Sequence, residues 1–121
     1  MDINIISNGI NIAYIKSNHI VLSDPNSALD LIATINYTYN CNHIILDIDL
    51  INPDFFNLST RIAGEILQKF INYNTKLAVV GDFSIFDSKS LKDFIYESNK
   101  GNCIFFANSK DNAIKALKNA F

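Results

Sequence analysis

Ser59-Thr60-Arg61-Ile62-Ala63-Gly64-Glu65-Ile66-Leu67-Gln68-Lys69-Phe70-Ile71-Asn72-Tyr73-Asn74-Thr75-Lys76-Leu77-Ala78-Val79-Val80-Gly81-Asp82 decides the fold. Ile62, Ala63, Ile66, Leu67, Phe70 and Ile71 recur at helical spacing, with Arg61, Glu65, Gln68 and Lys69 on the other side. Glu65 precedes Lys69 by one turn, the favourable orientation for an ion pair. Ser59 or Thr60 is the predicted cap, its hydroxyl oxygen accepting a free helix N–H. Asn72-Tyr73-Asn74 ends the helix, and Leu77-Ala78-Val79-Val80 reads as a strand covered on both faces. Gly81, Asp82 and Ser84 mark the loop beyond. Gly64 costs about 1 kcal/mol against Ala in a helix interior, and the expectation is that it packs closely against a strand.

The same alternation extends in both directions. Ile3-Asn4-Ile5-Ile6 and Ile10 to Ile15 are strands joined at Ser7-Asn8-Gly9, where Asn-Gly predicts a type I′ hairpin. His19-Ile20-Val21-Leu22 reads as a third short strand. Asp24-Pro25 starts a helix with the stripe Ala28, Leu31, Ile32, Ile35 and Tyr39, closed by Asn40-Cys41-Asn42. His43 to Ile48 is a buried strand. Asn52-Pro53-Asp54 turns, and Phe55 and Phe56 tuck under the sheet edge. Ser90-Leu91-Lys92-Asp93 fits a capping pattern, Leu91, Phe94 and Ile95 face inward, and Gly101 follows the helix end. Cys103-Ile104-Phe105-Phe106 is the last strand. Asn108 or Ser109 caps a final helix with Ala113, Ile114, Leu117, Ala120 and Phe121 on its apolar side. Short buried strands alternating with helices predict parallel pairing with right-handed crossovers. The expectation is one α/β domain over residues 1–121, with a mixed, mainly parallel sheet, an N-terminal β-hairpin and about four helices.

Composition narrows the partners. Hydrophobic residues make up 49% of the 121-residue chain, enough for a real core. The net charge is −2, with no basic stripe for a phosphate backbone, so nucleic acid is not an expected partner. Cys41 and Cys103 lie far apart without metal-ligand spacing, which fits a reduced, cytoplasmic protein. Met1-Asp2-Ile3-Asn4 is not a signal peptide, and no apolar run spans a membrane.

Chemistry in open α/β sheets gathers beyond the carboxyl ends of the strands. Those ends carry Asp47 and Asp49, then Asp82 and Ser84, then Asn108 and Ser109. Helix starts near Ser59, Thr60 and Arg61 and near Ser88 to Ser90 add free N–H groups that could bind an anion. Paired carboxylates could hold Mg²⁺. Aspartates after strands also cap helices and accept loop N–H bonds, and that structural role is the leading expectation here. No Gly-rich phosphate loop, nucleophile elbow or H-E-x-x-H motif is present. His19 and His43 have no local partner for base catalysis, and Cys103 at a buried strand start is an inert thiol.

Three resemblances follow from these residues. Asp47-Ile48-Asp49 resembles the aspartate pair of haloacid-dehalogenase-like phosphatases, although no Gly-Thr follows it. Ala63 to Phe70, Gly81-Asp82-Phe83-Ser84 and Ser90 to Gly101 are similar to blocks of the domain-of-unknown-function family four-one-eight-zero. That resemblance covers nearly the whole chain; it implies a small bacterial protein and supplies no activity. The element order resembles the STAS domains of anti-sigma factor antagonists and SpoIIAA-like proteins. There a strand ends in Asp and a Ser or Thr near the next helix is phosphorylated; the counterparts here are Asp47 or Asp49, then Ser59 or Thr60. The leading expectation is a non-enzymatic regulatory module without cofactor or metal, binding a protein partner around Ser59, Asp82 and Ser90, with a homodimer also open. The alternative is a small-ligand binder or Mg²⁺-dependent phosphoryl-transfer enzyme using Asp47, Asp49 and Asp82.

Overall fold

Each strand of the sheet lies beside the strand that precedes it in sequence. The computed structural model describes residues 1–120. The strands are β1 (Asp2–Ser7), β2 (Asn11–Lys16), β3 (His43–Asp47), β4 (Lys76–Val80) and β5 (Ile104–Ala107), in the spatial order β1-β2-β3-β4-β5. β1 and β2 are antiparallel, and every later pair is parallel. The helices are α1 (Pro25–Tyr39), α2 (Ile62–Asn72), α3 (Lys89–Lys100) and α4 (Lys110–Asn119). This is the mixed α/β domain with an N-terminal hairpin that the sequence predicts.

Right-handed crossovers along an order that never reverses put every crossover helix on the same face. That face is the larger core. Ala28, Leu31, Ile32 and Ile35 of α1, Ala63, Ile66, Leu67 and Phe70 of α2 and Leu91 of α3 pack on Ala13, Ile15, Ile44, Leu46, Leu77, Val79, Ile104 and Phe106. Side chains alternate along strands, so Ile12, Ile45, Ala78 and Phe105 point the other way, where Ala113, Ile114 and Leu117 of α4 cover them. Central strands buried on both faces explain the unbroken apolar runs.

Local signals hold where the bonding is local. Asp24 accepts from Ser27 N–H at 2.7 Å while Ser27 Oγ accepts from Asp24 N–H, a reciprocal cap with Pro25 in the first turn. Ser109 caps α4 through Asn112 N–H. Asn40 and Asn74 take left-handed backbone after α1 and α2 (φ 49° and 54°).

Several expectations change. Only Gly9 of the hairpin turn has positive φ, at 81°, so the turn is not type I′, which needs it at Asn8 as well. His19 to Leu22 is not a strand; the pairing shrinks to a bridge between Leu22 and Ile51. α3 is capped by Ser88, which accepts from Leu91 N–H, and Ser90 lies inside the helix. Gly101 follows α3 with extended backbone (φ −82°), not the left-handed turn of a glycine cap. Ile71 and Tyr39 are exposed, on the edges of their stripes. Gly64 is exposed, with nothing within 4 Å of where a Cβ would stand. The close approach is at Gly81, where a Cβ would lie 2.7 Å from Ile48 Cβ. Glu65 and Lys69 do not pair; among the described residues the ion pairs lie on α3, Lys89–Asp93 at 2.9 Å and Lys100–Glu97 at 3.6 Å. Phe121 lies outside the described residues.

Candidate functional site at the carboxyl end of the sheet

The chain leaves β3 and β4 through tight 3₁₀ turns, Ile48–Leu50, Pro53–Phe56 and Leu58–Thr60 after β3 and Phe83–Ile85 after β4. Two of these turns share one chemistry. Asn57 Oδ1 accepts from Ser59 N–H at 3.3 Å and Ser59 Oγ–H at 2.7 Å. Asp82 Oδ1 accepts from Ser84 N–H at 3.0 Å and Ser84 Oγ–H at 2.5 Å. Each side chain thus stands in for a backbone carbonyl and starts the turn. These bonds hold the Asp82 carboxyl below the usual carboxylate range.

Ser59 is therefore not the cap of α2. Arg61 occupies that position with left-handed backbone (φ 64°) and no side-chain cap bond. Thr60 Oγ1 accepts from Ile62 N–H at 3.3 Å and donates to Asn57 and Asp54 carbonyls at 2.8 and 2.9 Å. Of the two residues the sequence offers as caps, Ser59 is drawn into the Asn57 turn over Leu58–Thr60, while Thr60 accepts the first N–H of α2 from one residue before the cap position. Ser59 remains exposed, as do Arg61 and Ser90.

The three carboxylates of the predicted rim do not converge. β3 stops at Asp47, so Asp49 sits in a 3₁₀ turn and not two residues along a strand. Asp47 and Asp49 line one hollow of about 460 Å³ with Asp2, Tyr14 and Lys16. Asp82 and Ser84 line another, beside β5. Among the described residues no three His, Cys, Asp or Glu side chains are grouped to hold a metal ion.

Tyr14 is the member of this face that sequence reasoning missed. Its hydroxyl donates to Asp47 Oδ2 at 3.1 Å. Burial, then the hydrogen bond and charge of Asp47, push its pKa up. Lys110 and Lys16 approach its ring at 4.8 and 5.6 Å, within cation–π range. The pairing of Tyr14 with Ile45 in register explains the meeting with Asp47. The available signal was parity: Tyr14 and Asp47 lie on the same face of adjacent strands.

Phenylalanine rings fill the space under the turns. Phe56 stacks on Phe86 with centroids 5.0 Å apart and meets Phe55 at 4.9 Å. Phe83 meets Phe106 edge-on at 5.4 Å, and Phe94 approaches Phe106 at 6.0 Å. Phe55 and Phe56 are buried, and Phe55 meets Phe106 of the edge strand β5 at 6.5 Å, under the sheet edge as the sequence predicts.

Fold and site together define an α/β domain whose strand-end face is built over by 3₁₀ turns on an aromatic bed. The chain belongs to the family described as Domain of unknown function (DUF4180), whose model matches residues 7–117. It is similar to a solved structure from Thermotoga maritima described as an inferred anti-sigma factor antagonist, at 11% identity and a TM-score of 0.49, covering 97% of this chain and 93% of that one. A comparison with curated proteins finds no match. Among the described residues no helix is long and apolar enough to cross a membrane.

Proposed function

We propose that this protein is a regulatory module that binds a protein partner through the strand-end face, around Ser59, Asp82, Ser84 and Ser90. One observation carries the reading. Ligands of open sheets sit in a crevice at the point where strand order reverses. Here the order does not reverse, and Phe56, Phe83, Phe86 and Phe106 occupy the ground beneath the turns. The hollows left between the turns are open to solvent, and a face of that kind recognises a surface rather than enclosing a small molecule. Ile85 stands 67% exposed at its turn, an apolar anchor beside the polar Asp82 and Ser84.

The test is affinity recovery from extracts of the source organism with tagged wild type, Ile85→Asp and Ser59→Asp. Ile85→Asp abolishes recovery of the partner with the melting temperature unchanged, since the side chain is exposed. Ser59→Asp places a negative charge near the start of α2, where a phosphate would stand, and reduces recovery. Equal recovery by Ile85→Asp and wild type overturns the proposed face. Unchanged recovery by Ser59→Asp removes the phosphorylation switch at that residue.

A further inference from the structure

The geometry points to a homodimer in which β1 of two copies pair antiparallel about a twofold axis at Asn4, joining two sheets into one. β1 is an edge strand, and its six residues, Asp2-Ile3-Asn4-Ile5-Ile6-Ser7, contain no Pro, Gly or Lys. Edge strands of monomers are blunted by such residues, by bulges or by covering elements. β1 pairs with β2 without a break from Asp2 to Ser7, so no bulge bends it.

The ladder shows which groups are open. Asn8 N–H donates to Ile10 C=O at 3.0 Å across the Ser7–Asn11 pair. Hydrogen-bonded and non-bonded pairs alternate in an antiparallel ladder. The main-chain groups of Asn4 and Ile6 therefore turn toward β2, and those of Ile3, Ile5 and Ser7 turn outward. A twofold antiparallel partner must match outward groups to outward groups. Placing Asn4 on the axis does this, bonding Ile3 to the partner's Ile5 and Ile5 to the partner's Ile3.

Side chains agree with that register. Ile3 and Ile5 pair with Ile15 and Ala13 and share their face of the sheet, the side of the larger core. Ile5 is 40% exposed. The twofold gathers Ile3 and Ile5 of both copies into one apolar cluster continuous with both cores. Moving the axis to Ile5 instead sets Ile3 against the partner's Ser7 and leaves the two Ile5 side chains as the one apolar pair in direct register.

Charge selects a second copy as the occupant. Asp2 is the one charged residue of β1. Twofold pairing holds the two Asp2 carboxylates roughly 14 Å apart along the strands, beyond a Debye length of about 8 Å. Each Asp2 comes opposite the partner's Ile6, one step from the hairpin tip. There Lys118 donates to Asn8 Oδ1 at 3.1 Å, and Lys118 and Asp2 both belong to the α4 side of the sheet. The symmetry thus turns each carboxylate, which has Lys16 across from it in its own chain, along the strand toward Lys118 of the other copy.

The experiment is sedimentation of the full chain across a concentration series, alone and as Ile5→Lys. Wild type is a reversible dimer, and Ile5→Lys is a monomer whose self-association is weaker by at least an order of magnitude and whose circular dichroism is unchanged. Asn4→Cys in a Cys103→Ser background forms a covalent dimer on mild oxidation, while Cys103→Ser alone does not. Non-bonded cross-strand residues have Cα atoms about 4.5 Å apart, within disulfide reach. A monomer at every concentration overturns the inference and leaves β1 to a strand from another protein. A dimer that survives Ile5→Lys, or one that Asn4→Cys fails to lock, overturns this interface.

Discussion

The two edges of the sheet are finished differently. At β5 the bonds Leu77 N–H to Cys103 C=O and Gly81 N–H to Ala107 C=O turn the odd-numbered residues toward β4, which leaves Ile104 and Phe106 facing out. Asn99 of α3 closes the gap at Phe106. Its Oδ1 accepts from Phe106 N–H at 2.7 Å, and its Nδ2 donates to Phe106 C=O at 3.1 Å. One carboxamide does what a neighbouring strand would do. At β1 no side chain plays this part, and Ile3, Ile5 and Ser7 keep their outward groups free of protein partners among the described residues. The same problem, an unpaired row of backbone groups, is answered inside the chain at Phe106 on one side and left for a second chain on the other.

The largest expected effect tests whether the two edges belong to one cooperative unit. Leu67 is 5% exposed, packed between α2 and the sheet. Leu67→Ala costs about 2–5 kcal/mol through lost transfer energy and a residual cavity. Urea melts measure the loss, and protection from hydrogen exchange falls at both central strands together. A loss of protection confined to one edge breaks the comparison.

Asn99→Ala separates the edges. It strips both partners from Phe106, a residue only 6% exposed, and an unpaired buried group costs about 1–3 kcal/mol. The expected loss falls in that range, with faster exchange at Phe106 and no change at β1. The variant also gains a second open edge, so it associates beyond the dimer. Unchanged exchange at Phe106 shows that the carboxamide does not close the edge.

Gly64→Ala has the smallest effect and the opposite sign. A Cβ meets nothing within 4 Å, so the substitution stabilises by up to about 1 kcal/mol. Amides that exchange only on global unfolding, in β3 and β4, slow accordingly. Amides on the outer side of β1 exchange by local opening in a monomeric Ile5→Lys background and do not move. Destabilisation by Gly64→Ala restores the close packing that the structure denies.

Much of this fold is legible because its signals are short-range. The stripe of α2, the Asp24-Pro25 start of α1 and the apolar run Leu77–Val80 each arise from periodicity or from bonds spanning three residues. The candidate site was legible as residues but not as an arrangement. Ser59 and Thr60 both read as caps for α2, and only the Asn57 turn shows that Thr60 alone reaches a helix N–H. Asp47, Asp49 and Asp82 read as one rim, and the chain path after each strand separates them. Gly64 and Gly81 exchange roles for the same reason: a glycine's purpose depends on what stands across from it, and that is Ile48 for Gly81 and solvent for Gly64.

The sequence by itself determined the kind and order of the elements, since alternating strand and helix periods admit little but a largely parallel sheet with crossover helices. Tertiary structure alone decided that the strand-end face is filled by phenylalanines from separate turns. It alone decided that Tyr14 reaches Asp47 across 33 positions of chain, and that Asn99 seals one edge while β1 stays open. These depend on contacts between distant segments and on the parity of a ladder, and neither is written in the spacing of neighbouring residues.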